Sequence, residues 1–262
     1  MKDIGALLID LDGTLFHGGI MIKDADRLIA GLRVAGVPFL FVTNNSSRTQ
    51  EQVAAHLRGM GIKAEAHEVC TSSLASAHFV AQESPGARVA ILGEEGLHTA
   101  FKEAGLFVVD ESPQVVVQGI YRAFDYAALA KASRWIREGA RFVLTNPDLM
   151  LPTDDGVMPG AGSIGAAIEA ASGMPPVVIG KPEAYMIRYA AEMLGIPVEQ
   201  AVVVGDNMRT DISAGGKAGC RTILVLTGIT TRDNYEDYAK LTGAVPDLIC
   251  EDLAELMVTL GV

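Results

Sequence analysis

The chain has 262 residues, of which 49% are apolar and 20% charged, and 21 Lys and Arg against 32 Asp and Glu give a formal net charge of −11. This charge argues against a nucleic-acid partner, because a phosphate backbone is held mainly by Lys and Arg. Three cysteines without CxxC spacing suggest neither a disulfide framework nor a zinc site and fit a reducing cytoplasm. Asp10 and Asp12 interrupt the apolar stretch that a signal peptide would need, and no later apolar run approaches the roughly 18 residues of a membrane span, so we expect a cytoplasmic protein.

Short apolar runs alternate with amphipathic stretches along much of the chain. The runs are continuous, as in a parallel sheet covered on both faces. They lie at residues 4–9, 37–42, 177–179, 201–204 and 222–226. Residues 182–194 have a helical pattern, with Pro182 at the first position and Gly195 as the stop signal. This rhythm predicts an α/β fold whose core is a doubly wound, Rossmann-type parallel sheet.

The middle of the chain repeats this rhythm on a smaller scale. Strand and helix patterns alternate there at residues 89–92, 94–104, 115–117, 126–137 and 142–144. Turn-rich segments at 82–87 and 171–176 flank this region and are typical of crossings between domains. We therefore expect a core of residues 1–80 and 176–262, with a smaller α/β domain inserted at 81–175.

Four of the apolar runs of the predicted core lead directly into polar motifs. These are Asp10-Leu-Asp-Gly-Thr14, Thr43-Asn-Asn-Ser46, Gly180-Lys-Pro182 and the segment from Gly205-Asp206 to Asp211. The carboxyl ends of parallel strands share one edge of an open sheet, and ligands bind at that edge. We therefore expect the four motifs to meet in one cleft.

The carboxylates in these motifs predict a metal site. Asp10 and Asp12 would lie on the same side of a regular strand, and with Asp206 they would repel each other unless a cation were present. Oxygen ligands without clustered His or Cys favour Mg²⁺. From its position alone, Asp211 either stabilises the start of a helix or binds the metal.

The same motifs contain the groups needed for phosphoryl transfer. A carboxylate such as Asp10 can act as a nucleophile and form an acyl phosphate. A second one, Asp12, can protonate the leaving oxygen and then deprotonate water. The Lys181 ammonium and the Thr43 hydroxyl would hold the phosphoryl oxygens and offset their charge.

Together and in this order, the four motifs resemble the signatures of the haloacid dehalogenase superfamily. The segments 122–126, 145–148 and 159–163 more narrowly resemble its nitrophenylphosphatase and ribonucleotide monophosphatase (NagD-like) branch, which has a large α/β cap. The resemblance implies that Asp10 is the nucleophile and Asp12 the general acid/base, which also binds metal through its backbone carbonyl. It further implies that Asp206 binds the metal and that Asp211 is a ligand or the partner of one.

Spacing locates the cap after the second motif. Only 31 residues separate Asp12 from Thr43, whereas 138 separate Thr43 from Lys181. A rival assignment takes Thr145 as the second motif, but the segment around Thr43 fits the branch better. The resemblance favours Asn146 and Asp148 as specificity contacts over plain surface residues of the cap. Asn44 and Asn45 are the other candidate substrate-binding residues.

The segment 160–165 suggests two other enzyme classes. It has the spacing GxGxxG, but no apolar strand precedes it and no acidic residue follows at the expected distance, so a dinucleotide site is rejected. It is one residue away from the nucleophile elbow of serine hydrolases, but all five histidines precede Ser163, whereas that fold has its histidine afterwards. We interpret its glycines as the return crossing from cap to core.

The sequence thus predicts a Mg²⁺-dependent phosphatase that acts on a small phosphorylated metabolite through an aspartyl-phosphate intermediate. The alternatives are a phosphomutase and a non-catalytic module that binds a phosphorylated metabolite. The substrate and the oligomeric state, for which a homodimer is one option, stay open. His17 and Tyr121 depart from the branch pattern, and the sequence does not assign them a role.

Overall fold

The protein is described from a computed structural model, which covers residues 4–153 and 156–262. The chain divides into two compact units. Unit 1 comprises Met1–Thr43, Glu51–Cys70 and Lys181–Val262, and unit 2 comprises Asn44–Gln50 and Thr71–Gly180. Within the described residues, no helix is long and apolar enough to cross a membrane.

Strands and helices alternate along most of the described chain. The strands are β1 (Ala6–Ile9), β2 (Phe16–His17), β3 (Ile20–Met21), β4 (Phe39–Thr43), β5 (Val69–Thr71), β6 (Arg88–Leu92), β7 (Phe107–Val108), β8 (Val115–Gln118), β9 (Arg141–Leu144), β10 (Met150–Thr153), β11 (Gly156–Pro159), β12 (Val177–Val178), β13 (Ala201–Gly205), β14 (Arg221–Val225) and β15 (Leu248–Cys250). The α-helices are α1 (Ala25–Ala35), α2 (Gln50–Gly59), α3 (Ser72–Glu83), α4 (Glu95–Glu103), α5 (Tyr126–Arg137), α6 (Ala161–Ser172), α7 (Tyr185–Met193), α8 (Ser213–Ala218), α9 (Tyr235–Thr242) and α10 (Leu253–Leu260).

Unit 1 is built on a six-stranded sheet with the order β15-β14-β13-β1-β4-β5. The central strand β1 pairs in parallel with both β13 and β4, and Ile9 at its end lies opposite Val204 and Phe41. These strands are fully buried because helices cover the sheet; Leu28 and Leu32 of α1 belong to the same apolar cluster as Ile9. This register brings the segments that follow β1, β4 and β13 to the same edge of the sheet.

Unit 2 has its own five-stranded sheet with the order β12-β9-β8-β6-β7, in which neighbouring strands run parallel. The predicted α/β class and doubly wound core are therefore confirmed. The placement of residues 177–179 in the core sheet is wrong. Val177 and Val178 pair with Val143 and Leu144, so β12 is an edge strand of unit 2. Both residues are only half-buried, as expected at an edge.

The longer segment of unit 2 begins at Thr71, ten residues before the domain boundary expected from the sequence. Helix α3 groups with unit 2 because it packs against α4. The separate segment Asn44–Gln50 also belongs to unit 2 because hydrogen bonds attach it there. Gly96 N donates to Ser47 O at 2.9 Å, Ile120 N to Ser46 Oγ at 3.0 Å and Ser73 Oγ to Ser46 O at 2.9 Å.

The local predictions differ in accuracy. Helix α5 has the predicted bounds, whereas α7 begins at Tyr185 rather than Pro182, since residues 181–184 form a turn. The interpretation of segment 160–165 as a return crossing is wrong. A strand, β11, precedes Gly160, which is the N-cap of α6, and α6 contains the rest of the segment. The pattern of β11 gave no signal because all four of its residues are exposed.

Candidate active site

The candidate site lies where the central strands of unit 1 end. Asp10 directly follows β1, Thr43 is the last residue of β4, and Asp206 directly follows β13. Asp211 lies in a π-helical turn, Met208–Ile212, that comes after Asp206. Thr145 of the rival assignment follows β9, a strand of unit 2.

Lys181 connects three of these strand ends through one buried ammonium group. Its Nζ donates to Asp10 Oδ1 at 2.5 Å and to Asp211 Oδ1 at 2.6 Å. It also donates to the backbone carbonyl of Val42, next to Thr43, at 3.1 Å. The Lys181 side chain is only 4% exposed. A buried ammonium needs acceptors for its three N–H bonds, and these three contacts supply them.

Asp206 is held by the loop that follows β14. Ile229 N donates to Asp206 Oδ2 at 2.6 Å, and the Thr14 hydroxyl donates to Oδ1 at 3.3 Å. Glycine is required on two sides of this carboxylate, since a Cβ on either Gly13 or Gly228 would overlap it. Gly13 also has a φ of +85°, which favours glycine. The sequence therefore allows the backbone to approach Asp206 closely from both β1 and β14.

Three carboxylates form a cluster that could hold a metal ion. Oxygens of Asp10, Asp206 and Asp211 lie within 4.8 Å of one another, and all three residues are largely buried. An all-oxygen donor set suits a hard divalent cation such as Mg²⁺. The single ammonium of Lys181 does not neutralise three carboxylates, so a further cation fits the charge of the site as well as its ligands.

The electrostatics of the cluster show the cost of bringing these groups together. Burial raises the pKa of Asp10 well above its usual value, and the nearby Asp211 charge raises it further. Burial and the Asp211 charge likewise raise the pKa of Asp206 to about 6. Burial alone would lower the pKa of Lys181, but the Asp10 and Asp211 charges outweigh it and the net shift is upward. The lysine is therefore cationic at neutral pH.

No thiol competes with Asp10 for the role of nucleophile. Cys70, Cys220 and Cys250 are free and buried. Burial raises the pKa of Cys70 to about 12, although the Lys181 charge lowers it, and raises the pKa of the other two to about 11. A protonated thiol is a poor nucleophile, so the carboxylate is the better candidate at neutral pH.

Comparison with known proteins identifies the family. The haloacid dehalogenase-like hydrolase model matches residues 7–107, and a second model for hydrolases of the same type matches residues 178–256. The chain is 43% identical to the 5'-nucleotidase YutF of Bacillus subtilis over 249 aligned residues. This alignment covers 95% of the present chain and 97% of YutF. The chain belongs to the haloacid dehalogenase-like hydrolases.

Solved structures place it in the p-nitrophenylphosphatase and NagD-like branch of this family. A p-nitrophenyl phosphatase from Archaeoglobus fulgidus superposes with a TM-score of 0.92 at 34% identity, covering 98% of this chain and all of the other. NagD from Escherichia coli gives 0.90 at 32% identity, with 97% and 98% covered. A glycerol phosphate phosphatase from Mycobacterium tuberculosis, solved in complex with magnesium, gives 0.88 at 38% identity, with 97% and 77% covered.

In this hydrolase the two aspartates of the first motif have different surroundings. β1 ends at Ile9, and the amides of Thr14 and Leu15 turn back to the carbonyl of Leu11. Asp12 is therefore exposed, whereas Asp10 is largely buried. The carboxylate cluster contains Asp211 beside Asp10 and Asp206, where the sequence led us to expect the Asp12 carboxylate.

The four candidate substrate-binding residues of the hydrolase all lie in unit 2. Asn44 Nδ2 donates to Asp148 Oδ2 at 3.0 Å, and Asn146 Nδ2 donates to Asn44 O at 2.8 Å. Asn45 Oδ1 accepts hydrogen bonds from the amides of Ser47 and Arg48. Three of the four therefore form one hydrogen-bonded group, while Asn45 shapes the turn beside it.

Sequence reasoning missed the contribution of the loop after β14. This loop supplies the Ile229 amide to Asp206, and the Thr227 hydroxyl donates to Gly13 O at 2.8 Å. A signal was available, since Thr227-Gly228 follows the predicted strand at 222–226 as the other motifs follow theirs. The signal is weak, because Thr227 and Gly228 have no charged, thiol or imidazole side chain.

Proposed function

We propose that this haloacid dehalogenase-like hydrolase is a Mg²⁺-dependent phosphatase that cleaves small phosphomonoesters through an aspartyl-phosphate intermediate. The observation that carries the proposal is the buried Lys181 ammonium between Asp10 and Asp211, beside the Asp206 carboxylate. The names of three similar proteins, a 5'-nucleotidase, a p-nitrophenyl phosphatase and a glycerol phosphate phosphatase, support the reaction class. Their names differ in the leaving group, so the proposal stays with small phosphomonoesters.

Asp10 is the proposed nucleophile. Its carboxylate oxygen attacks phosphorus, the bond to the leaving oxygen breaks, and an acyl phosphate forms. Attack requires the ionised carboxylate, yet burial and Asp211 favour the protonated form. Lys181 opposes this effect from 2.5 Å, and a divalent cation among the carboxylates would oppose it further.

Asp12 is the proposed general acid and base. As an acid it gives its proton to the leaving alkoxide, and as a base it later takes a proton from the water that hydrolyses the acyl phosphate. The exposure of Asp12, two residues after the nucleophile, supports this role, because the group must exchange protons with a leaving group and with water.

Lys181 and Thr43 are proposed to stabilise the transferring phosphoryl group. The contacts of Lys181 with Asp10, Asp211 and Val42 O use the three N–H bonds of its ammonium. We therefore assign its effect mainly to charge and to the orientation of Asp10. Thr43, at the end of β4, supplies a hydroxyl at the same edge of the sheet.

The proposed metal ligands are the carboxylates of Asp10, Asp206 and Asp211 together with the backbone carbonyl of Asp12. When bound, Mg²⁺ would polarise the phosphoryl oxygens and offset their negative charge. The clustered carboxylate oxygens fit such an ion, and one solved relative was crystallised with magnesium.

We propose that unit 2 selects the leaving group, as the cap of a cytoplasmic enzyme. Asn44, Asn45, Asn146 and Asp148 are its proposed substrate-binding residues. Support comes from the family membership and from the shared hydrogen bonds of Asn44, Asn146 and Asp148. A small anionic ligand, rather than a nucleic acid, agrees with the net charge of −11.

The test measures phosphate release from p-nitrophenyl phosphate and from a panel of phosphorylated metabolites, with Mg²⁺ and with EDTA. We expect Asp10→Asn to lower turnover by at least about 10³-fold, since no nucleophile replaces it. Asp12→Asn should lower it by about 10²–10⁴-fold. The surface variant Lys217→Met serves as the control and should keep the wild-type rate. Unchanged turnover in Asp10→Asn would overturn the mechanism.

The same assay separates the alternatives. Formation of an isomerised sugar phosphate without free phosphate would indicate a phosphomutase. Binding of phosphorylated metabolites without turnover of any of them would indicate a non-catalytic module. Either result would replace the proposed activity.

A further inference from the structure

The loop that carries Asp12 continues directly into a small hairpin. Strands β2 and β3 pair Phe16 with Met21 and His17 with Ile20, and Gly18-Gly19 connects them. A hairpin with two residue pairs has little stability of its own, so contacts outside it must fix its position. This hairpin begins only four residues after Asp12. Movement of the hairpin backbone would therefore also move Asp12, the proposed acid/base.

Opposite faces of the hairpin are anchored at different places. Phe16 is buried in the core of unit 1 and contacts the His56 ring edge-on, with ring centroids 5.4 Å apart. His17 points the other way, as alternation along a strand requires, and its Nε2 lies 2.7 Å from Thr227 O. A carbonyl only accepts hydrogen bonds, so Nε2 must carry the proton and donate it.

Thr227 therefore makes hydrogen bonds to both ends of the segment 13–17. Its hydroxyl donates to Gly13 O at 2.8 Å, and its carbonyl accepts from His17. The loop continues into Ile229, whose amide donates to the Asp206 carboxylate at 2.6 Å. Thr227 thus connects the backbone beside Asp12 to the loop that orients a proposed metal ligand.

We infer that His17 is a positioning residue, which fixes the hairpin against the loop at Thr227 and thereby sets Asp12 and the Ile229 donor relative to Asp206. The inference rests on the proposed function only for its effects on turnover and on Mg²⁺ affinity. Its effects on the metal-free protein follow from the hydrogen bonds alone. A glutamine at position 17 could place an amide N–H donor near the position of Nε2, whereas an alanine removes the donor.

The first experiment needs neither substrate nor metal. Hydrogen–deuterium exchange of segment 226–231 is measured in EDTA for wild type, His17→Ala and His17→Gln. Loss of one hydrogen bond should speed exchange about 2- to 10-fold in His17→Ala, and His17→Gln should stay within about 2-fold of wild type. Ile20→Ala, the cross-strand neighbour of His17 with a side chain outside this connection, is the matched control and should exchange as wild type does.

The second experiment measures Mg²⁺ affinity by calorimetry and turnover for the same variants, and reads the tautomer of His17 from its imidazole ¹⁵N shifts. We expect the Nε2–H form in wild type, and about 2- to 10-fold weaker Mg²⁺ binding with a similar loss of kcat in His17→Ala. His17→Gln should restore both. An Nδ1–H tautomer, unchanged exchange in His17→Ala, or a glutamine variant no better than alanine would overturn the inference. A phosphatase-negative wild type with the expected exchange pattern would overturn only the proposed function.

Discussion

The two units share a parallel α/β architecture but differ in what their strand ends contain. In unit 1 the edge contains buried charges, namely Asp10, Lys181, Asp206 and Asp211. In unit 2 the buried polar residues at the ends of β8 and β9 are neutral, namely Gln118, Thr145 and Asn146. The same arrangement of strands therefore supports two kinds of polar chemistry.

The neutral edge of unit 2 is used for structure. Gln118 Nε2 donates to Ala161 O at 3.1 Å, and Asn146 Nδ2 donates to Asn44 O at 2.8 Å, so both amides connect backbone segments. The charged edge of unit 1 instead places like charges together and raises the pKa of Asp10 and of Asp206. Residue types at the strand ends, rather than the fold, decide which edge can hold a cation and perform chemistry.

The largest expected effect comes from removing the cation at the charged edge. Lys181→Met leaves the Asp10 and Asp211 carboxylates without their ammonium partner, which we expect to cost about 3–5 kcal/mol of unfolding free energy in EDTA. The matched change at the neutral edge, Asn146→Ala, removes one hydrogen bond and should cost about 1–2 kcal/mol. Turnover should fall about 10²–10³-fold in Lys181→Met.

Urea unfolding can assign each loss to its unit. The single tryptophan, Trp135, lies in unit 2, so its fluorescence follows that unit, whereas circular dichroism follows the whole chain. The stability loss of Lys181→Met should appear in the circular dichroism transition. The stability loss of Asn146→Ala should appear in both the fluorescence and the circular dichroism transitions. Equal losses for the two variants would remove the energetic distinction between the edges.

A smaller effect should depend on pH and on Mg²⁺. Burial and the Asp211 charge raise the pKa of Asp206 to about 6 from an ordinary 3.8, so the folded protein binds this proton more tightly than the unfolded chain. Ionised Asp206 therefore destabilises the metal-free fold fully above pH 6, and the penalty disappears as the pH falls toward 4. Asp206→Asn should thus gain about 1–3 kcal/mol relative to wild type between pH 4 and pH 7 in EDTA.

Thermal unfolding across this pH range checks the prediction. Saturating Mg²⁺ should stabilise wild type and leave Asp206→Asn nearly unchanged. Asn146→Ala provides the neutral-edge control, because neither its native nor its substituted side chain titrates, and its cost should not vary between pH 4 and pH 7. A constant difference between Asp206→Asn and wild type would contradict the assigned shift.

The sequence predicted the strand ends better than the contacts made there. The runs before Asp10, Thr43 and Asp206 are buried strands of one sheet, as their continuous apolar patterns indicated. The run at Val177 and Val178 looked the same but pairs with β9, because strand pairing depends on distant residues that a local pattern does not contain. Strand β5 was missed because three residues are too short for a recognisable run.

The residue types of the site were predictable from the sequence, whereas the hydrogen-bond partners of these residues were less so. Lys181 and the aspartates stand out as charges after apolar runs, yet the choice of Asp211 as the second partner of Lys181 depends on a π-helical turn that no local pattern indicates. The period-two argument for Asp12 assumed a regular strand through residue 12, whereas β1 ends at Ile9. Backbone donors such as the Ile229 amide are independent of residue type and could not be identified from the sequence.

The smallest expected effect compares one ion pair in each unit, outside the carboxylate cluster of unit 1 and the buried amides of unit 2. In unit 1, Arg33 makes two hydrogen bonds of 2.7 Å to Glu68, whose side chain is 11% exposed. In unit 2, Arg122 pairs with Glu94 at 2.6 Å, with side chains 65% and 27% exposed. Burial alone would raise the pKa of Glu68, but the Arg33 hydrogen bond and the Glu65 amide outweigh it and lower this pKa.

A lowered folded-state pKa means that the Glu68 contribution is complete above its ordinary value of 4.5 and is lost as the pH falls through the lower one. Glu68→Gln should therefore cost about 1–2 kcal/mol of unfolding free energy at pH 7 and much less near pH 3. Glu94→Gln should cost about 0.2–1 kcal/mol at pH 7, because water and salt screen an exposed pair. Urea titrations at both pH values, in low salt and in 0.5 M salt, measure the two costs. If Glu94→Gln cost as much as Glu68→Gln, burial would not be the property that separates the two ion pairs.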